Sequence, residues 1–454
     1  MRSLQALIFL LSCCPFLLAQ APRKIICYFT QPVDTSVSTG VNAVYLNNTA
    51  DDTLVQYINR AQYSIDICIY NTTSSGSVAN IAGALNNAYA SGKRVRVIYE
   101  GSTGNTMIPN LNANINRLAS PQGTPYNIMH NKFVVFDADA PDPGLPIVWT
   151  GSMNWTTTQI NGTDANNIVI IQDQLLAQAY QKEFEEMWGD TGLVPNAGLA
   201  RFGPMKTNNT QHVFIIEGKI VECYFSPSDS VNQRILTAIG SADTDLEFAS
   251  MVITRNDISS AIVNNVSNGV LPTYGLVDDS VTTTEWGALV AGMLPNTMKS
   301  ASGQPGIMHH KFLIADQSNV VSDPLVLTGS HNWSTSANNQ NDENTLIIHD
   351  DTIANLYFQH FAWLYAQMGG VMSAGTPAEN TGANVYPNPF ADRLVVQADG
   401  AGELTLYNSV GAKAGCWDLK PGGNEIRTDL LPGGIYFFLI ESGAGIRTGR
   451  LIRQ

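Results

Sequence analysis

The chain repeats itself, and the repeat limits what it can become. Lys24-Ile25-Ile26-Cys27-Tyr28-Phe29-Thr30-Gln31-Pro32 returns, with one insertion, as Lys219-Ile220-Val221-Glu222-Cys223-Tyr224-Phe225-Ser226-Pro227. Ile128-Met129-His130-Asn131-Lys132-Phe133 returns as Ile307-Met308-His309-His310-Lys311-Phe312, and Thr150-Gly151-Ser152-Met153-Asn154-Trp155 as Thr328-Gly329-Ser330-His331-Asn332-Trp333. Three matches in the same order define two copies of one architecture within a single chain. The first half is read as 22–190, the second as 219–370, with a connector over 191–218.

Each copy has α/β signals. Tyr63 to Tyr70 reads as a strand, Ala79 to Ser91 as a helix and Val95 to Tyr99 as the next strand. That order implies parallel pairing. Asp173 is placed to cap a helix reaching Trp188, with Leu176, Tyr180, Phe184 and Met187 on one stripe. Asp351 to Met368 repeats it with Ile353, Tyr357, Phe361 and Leu364. Both stripes read as core rather than as a cofactor site.

The ends differ from this body. Residues 1–21 read as a secretory signal: Arg2, an apolar run from Ser3 to Leu18, and small residues at Ala19-Gln20-Ala21. Cys13 after Leu10-Leu11-Ser12 leaves a lipoprotein cleavage site as the alternative. Residues 371–384 read as a linker rich in Ala, Gly, Thr and Asn. From Val385 the text changes to short alternating strands punctuated by glycine, such as Leu404-Thr405-Leu406-Tyr407 and Ile435 to Ile440, which predicts a small antiparallel sandwich.

Composition narrows the function classes. Hydrophobic residues make up 44% and charged residues 14%, which excludes a disordered chain or a coiled coil. The net charge of −14 argues against a sequence-independent nucleic-acid binder, which needs a basic face.

The chemistry lies in the repeated motif. Each half has His-x-Lys followed after four residues by Asp: His130, Lys132 and Asp137, then His309, Lys311 and Asp316. A Gly-Ser-x-Asn follows: Gly151, Ser152 and Asn154, then Gly329, Ser330 and Asn332. Apolar flanks place both pieces on strands, where alternation puts His and Lys on one face and Ser and Asn on one face. A hairpin then brings the two sets together. Lysine and asparagine suit the oxygens of a phosphodiester. Histidine can attack phosphorus or protonate a leaving oxygen, and two histidines can divide those tasks.

The doubled His-x-Lys-x4-Asp with Gly-Ser-x-Asn resembles the phospholipase D superfamily over roughly residues 24–370. The resemblance implies two pseudo-symmetric α-β-α halves sharing one active site, with the small all-β sandwich appended. It implies a phosphodiesterase that needs no metal and no cofactor and works through a covalent phosphohistidine. His130 and His309 would be nucleophile and acid. Lys132, Lys311, Asn154 and Asn332 would bind phosphate, with Ser152 and Ser330 helping, while Asp137, Asp316, Gly151 and Gly329 would be structural. The tail resembles the C-terminal sorting domain of the type IX secretion system: Val385-Tyr386-Pro387-Asn388-Pro389-Phe390, then Leu406-Tyr407-Asn408, then Leu431-Pro432-Gly433-Gly434-Ile435-Tyr436-Phe437, then Arg447, Arg450 and Arg453. It implies a Gram-negative host, passage through the periplasm, engagement of that secretion machinery, and release or attachment at the cell surface.

Two departures from the family pattern carry expectations. The stretches from Asp137 to Gly151 and from Asp316 to Gly329 are long, so longer hairpin loops are expected to reshape the pocket mouth. Many members also place a carboxylate after the Ser to support a catalytic histidine. Glu343 fits that position in the second half, whereas ungapped alignment of the first half gives Ala165, with Asp164 one residue earlier. On this reading His309 is the histidine with a carboxylate partner and His130 lacks one. Family habit favours His130 as nucleophile and this local reading favours His309, so the order stays open.

Other candidates get plain readings. His212, His349 and His360 read as satisfied core or surface residues, His310 and His331 as neighbours of the motif, and Trp155 and Trp333 as packing. Asp137-Ala138-Asp139 has generic spacing and is rejected as a metal site. The mature cysteines, Cys27, Cys68, Cys223 and Cys416, read as buried free thiols. The expected substrate is a phospholipid head-group ester, with Met107 to Leu111 and Met293 to Pro295 either touching lipid or forming core edges. The alternative is a nuclease, for which Lys93, Arg94, Arg96, Arg117 and Arg255 are the few basic candidates. A non-catalytic surface protein is a third reading. One chain supplies both motif copies, so a monomer is expected.

Overall fold

The computed structural model describes residues 23–372, 384–398, 400–408, 413–442 and 445–453. The signal sequence read over 1–21 and most of the linker read over 371–384 lie outside the described residues. The repeated text folds into two eight-stranded mixed sheets. In the first, the strands run in the order Val44–Tyr45, Ile25–Phe29, Asn167–Ile171, Ile147–Gly151, Lys132–Phe136, Ser64–Ile69, Arg94–Tyr99 and Asn116–Ala119. In the second, Lys219–Ser226, Glu343–Ile348, Leu325–Gly329, Lys311–Ala315, Leu246–Ser250, Thr273–Val277 and Met298–Ser300 follow the same order. The predicted βαβ unit is parallel, with Ser64–Ile69 beside Arg94–Tyr99 and the helix Val78–Ala90 between them in sequence.

The halves differ at one edge. Val44–Tyr45 pairs parallel to Ile25–Phe29, whereas Val213–Ile216 pairs antiparallel to Lys219–Ser226. Val213–Ile216 falls inside the stretch read as connector, so the second sheet begins earlier than the motif text indicates.

Three apolar clusters organise this body. One spans both halves, with Cys27, Phe29 and Phe133 from the first sheet, Cys223, Phe225 and Phe312 from the second, and the stripes of Gln174–Trp188 and Asp351–Gln367. The first helix is capped as predicted, Asp173 accepting from the Leu176 amide; in the second the cap is Asp350, which accepts from the Ile353 amide. Each remaining cluster packs one sheet against its own outer helices, Ala50–Arg60 and Val78–Ala90 in the first half, Val231–Gly240 and Asn256–Ser267 in the second. Both sheets are thus covered on two sides, which suits their near-continuous apolar strands.

Cys27, Cys68 and Cys223 are buried free thiols, and burial pushes their pKa values up. Cys416 departs from the expectation, being free but exposed. The described residues after 383 form two antiparallel sheets of three and four strands over a core that includes Phe390, Leu394, Val396, Leu406 and Phe438. Among the described residues no helix is long and apolar enough to cross a membrane.

Candidate active site

The motif residues gather at strand ends rather than along strands. Lys132 and Lys311 are the first residues of their strands, and each histidine lies two residues earlier. Gly151 and Gly329 end the neighbouring hairpin strands, and Ser152, Asn154, Ser330 and Asn332 follow them. The hairpin juxtaposition predicted from alternation is present, but the chemistry sits where the chain leaves the ladder. The glycines are required at that exit. Gly151 has φ +137° and a Cβ there would meet the Asn167 carbonyl oxygen at 2.2 Å; Gly329 has φ +150° and would meet that of Asn344 at 2.2 Å.

Asp137 and Asp316 lie at the opposite strand ends. Asp137 accepts from the backbone amides of Gln62, Tyr63 and Ser64 at 2.7–2.9 Å. Asp316 accepts from those of Asp243 and Thr244 at 2.8 and 2.7 Å. Each carboxylate therefore orders the turn that enters the central parallel strand. The long hairpin loops also leave from that far end, at 137–146 and 316–324, so they do not shape the mouth of the site. That expectation is corrected by the direction of the hairpin.

The histidines are held across the halves. His130 Nδ1 lies 2.7 Å from Glu343 Oε2, and His309 Nδ1 lies 3.0 Å from Asn166 Oδ1. Glu343 thus supports the histidine of the other half, which overturns the assignment of His309 as the carboxylate-backed ring. Its counterpart is Asn166, not Ala165 or Asp164: the loop after Ser152 is one residue longer than the loop after Ser330. Backbone bonds lock this exchange. The His130 amide donates to the Asp342 carbonyl and the His309 amide to that of Ala165, each at 2.9 Å. Beneath them Asn167 Nδ2 donates to Thr328 Oγ1 and Tyr357 OH, both at 2.8 Å. Asn344 Nδ2 donates in return to Thr150 and, at 3.0 Å, to Tyr180 OH. This reciprocal pairing ties the strand ends that carry the two motif sets to one another.

Charge is concentrated and dry. His130, His309, Lys132 and Lys311 are 5%, 6%, 3% and 1% exposed. Each lysine donates to the carbonyl oxygen of its own histidine at 2.7 Å. Burial lowers His130, and Lys132 and Lys311 push the same way, while Glu343 opposes them. Burial and the surrounding Lys311, Lys132 and His130 hold His309 well below the ordinary histidine value. Burial also brings Lys311 down to about 7, against Glu343 and Asp278, and holds Lys132 well below its usual range. Burial pushes Glu343 up, but His130, His331 and Lys132 together outweigh that and bring it down to about 2. Four nitrogen bases thus surround one ionised carboxylate in direct contact with a ring, Glu343, and an added anion favours their protonated forms.

Several neighbours escaped the sequence reading. Glu100 Oε2 accepts from the Met129 amide and Asp278 Oδ1 from the Met308 amide, both at 2.7 Å, so a carboxylate holds each histidine loop. The clue was position, since each acid closely follows its parallel strand. Tyr70 lies edge-on to His130 at 4.6 Å and its ring centroid is 5.0 Å from Lys132 Nζ. Asn166 was hidden by the one-residue loop difference. Ser152 Oγ donates to Asn166 Oδ1 and accepts from the Asn167 amide, and Ser330 Oγ accepts from the Asn344 amide. The Oδ1 atoms of Asn154 and Asn332 have no protein partner among the described residues.

The bland readings divide. His360 and His310 are a buried pair with Nε2 atoms 2.8 Å apart, and Trp155 and Trp333 are buried. His331 is buried, and neither ring nitrogen has a hydrogen-bond partner among the described residues. Met107, Ile108 and Leu111 are core, whereas in the second apolar loop Met293 is buried and Leu294 and Pro295 are exposed. The basic candidates are occupied: Arg94 and Arg96 pair with Asp66, Arg255 with Asp257, Arg117 donates to two carbonyls and Lys93 to Ser91.

The comparisons with known proteins follow this geometry. Residues 54–188 and 235–365 match the family model described as "Cardiolipin synthase, PLD-like domain", more than half of the chain. Residues 384–454 match the model of the secretion system C-terminal sorting domain. The chain is 34% identical over 139 residues to a mitochondrial cardiolipin hydrolase of Xenopus tropicalis, a match spanning 30% of this chain and 59% of that relative. It is 26% identical over 174 residues to a phospholipase D of Rickettsia felis, spanning 38% of this chain and 82% of the relative. The phosphatidylserine synthase of Haemophilus influenzae superposes with a TM-score of 0.50 at 12% identity, covering 69% of this chain and 83% of that one, a likeness of fold. By its family match over both halves, the chain belongs to the phospholipase D-like family and carries a secretion-system sorting domain at its C-terminus.

Proposed function

We propose that the chain hydrolyses a phospholipid head-group phosphodiester. The observation that carries this reading is the buried set of two imidazoles and two ammonium groups offset by one carboxylate, an arrangement that favours a bound anion. His130 is the nucleophile. Its Nδ1 proton is held by Glu343, which leaves Nε2 free to attack phosphorus and stabilises the cationic phosphoimidazole that forms. As the N–P bond forms, the bond from phosphorus to the head-group oxygen breaks and His309 gives that oxygen a proton. Water, deprotonated by His309, then displaces His130 and leaves a phosphomonoester. Lys132, Lys311, Asn154 and Asn332 hold the non-bridging oxygens, where losing one donor typically costs about 3 kcal/mol. His309 rests on a neutral amide rather than a carboxylate, which suits a group that must release its proton.

A lipid is favoured over nucleic acid by the net charge of −14 and by the occupied arginines, which offer no basic track. The substrates in the relatives' names point the same way. We read the protein as a monomer that leaves a Gram-negative cell by the type IX route, through the periplasm, to be released or held at the surface. The test is mature protein on phosphatidylcholine, phosphatidylglycerol and cardiolipin vesicles, and on plasmid and single-stranded DNA, all in EDTA. Head-group release without DNA cleavage is expected. DNA cleavage without lipid turnover would establish a nuclease instead.

A further inference from the structure

The connector between the halves does more than join them. It runs behind the loop that delivers Glu343, and it touches that loop at three points. The Gly203 amide donates to Asp342 Oδ1 at 2.7 Å. Lys206 Nζ lies 3.2 Å from the same oxygen and pairs with Glu183 on its other side, fully buried. Gly203 has φ +51°, and a Cβ there would stand 2.7 Å from the Gln340 carbonyl oxygen, so backbone packs on backbone.

The gripped loop is the one that matters to His130. The Asp342 amide donates to the Ile128 carbonyl at 3.0 Å, and its carbonyl receives the His130 amide at 2.9 Å. Asn341 Nδ2 donates to Glu343 Oε1 at 3.1 Å, and Asn127 Nδ2 donates to Asn341 Oδ1 at 2.8 Å. Glu343 then reaches His130 at 2.7 Å. The opposite loop has the same backbone bonds to His309 but carries Ala165 where this one carries Asp342. It has no side chain there for a connector to hold. A buried ammonium set against two buried carboxylates is costly to desolvate, and such groups are poor devices for plain stability. Fixing one loop in place is a use that fits it.

We propose that Lys206 and the Gly203 amide are a latch, positioning the 340–343 loop through Asp342 so that Glu343 holds His130 in its reactive orientation. This rests on the reading of His130 as the reacting imidazole. The latch acts through Asp342 and touches no substrate.

The test uses the full mature chain and bis(p-nitrophenyl) phosphate. Asp342→Ala installs the residue of the other half and leaves Lys206 paired with Glu183, so the fold should survive. The expected result is a fall in kcat of about tenfold, the scale of one charge-assisted hydrogen bond, with KM within about twofold. Nitrogen-15 histidine NMR should show the His130 titration midpoint moving down, because Glu343 is held less closely, while His309 stays in place. Lys206→Met should lower kcat in the same way. Unchanged kcat in Asp342→Ala, or an unmoved His130 midpoint, overturns the latch. A wild-type protein inactive on every phosphodiester would sink the proposed function instead, and the NMR comparison would still decide the latch.

Discussion

The two halves share a scaffold and differ around the reacting rings. In both, an aspartate collects turn amides, a glycine lets two strand ends touch, a lysine ties to the carbonyl of its histidine, and an asparagine crosses to a threonine and a tyrosine of the other half. Around the rings the pattern breaks. His130 meets Glu343, but His309 meets Asn166. Lys132 lies under Tyr70, whereas Lys311 has Met251 Sδ at 3.7 Å. Asp66 pairs with Arg96 in the first sheet, while its counterpart Glu247 is buried with one oxygen unpartnered and its pKa held well up by burial. The lesson is a division of labour: the backbone-shaping positions and the four nitrogen bases are repeated, and the groups that touch those bases are not. A symmetric frame thus holds two unlike rings: His130 has a carboxylate to support a positive charge and His309 has a neutral amide.

That comparison can be broken most directly at the rings. His130→Ala and His309→Ala should each lower lipid turnover by about a thousandfold or more. On bis(p-nitrophenyl) phosphate, whose leaving group needs no acid, His309→Ala should still release a burst of nitrophenolate and then stall. His130→Ala should give none. A burst in His130→Ala alone would reverse the assigned order.

The partners of the rings come next. Glu343→Gln should cost about 10- to 100-fold in kcat, as expected for losing a charged hydrogen-bond acceptor. The pH profile gives the sign. Burial holds His130 below the ordinary histidine value and Glu343 opposes that shift. On the proposed mechanism the neutral ring of His130 is the nucleophile, so activity should fall as the pH drops through a value below 6.5. Glu343→Gln should move that acid limb to still lower pH while lowering the plateau. An acid limb that stays put would mean that another group sets it.

Smaller effects test the frame. Asn167→Ala and Asn344→Ala each leave a buried tyrosine and threonine hydroxyl without their amide, so each should lose about 1–3 kcal/mol of stability, read from denaturant unfolding. If the frame is symmetric, the two losses should match. The smallest expected change is Tyr70→Leu, about 0.5–1 kcal/mol of lost cation–π support, seen as a modest rise in KM.

Much of this was legible in the text. The doubled α/β plan, the capped helix at Asp173 and the four nitrogen bases could all be read this way, because strand alternation and helix periodicity are local rules. Asn166 was not legible, since one extra loop residue changes which side chain faces His309 and no local rule reports loop length against a distant partner. The direction of the long hairpin loops was misread for a related reason: text shows that a loop is long, not at which end of a sheet it emerges. Tyr70, Glu100, Asp278 and Lys206 carry no motif and acquire meaning only from what they face.

The motif text alone specified two matched His-x-Lys and Gly-Ser-x-Asn sets in one chain, because each set is written in a short contiguous stretch. Only the tertiary structure decided that each half supplies the support for the other's histidine, and that the single carboxylate serves His130. Those pairings join residues 213 and 143 positions apart, and their geometry depends on how two sheets meet rather than on anything either strand encodes alone.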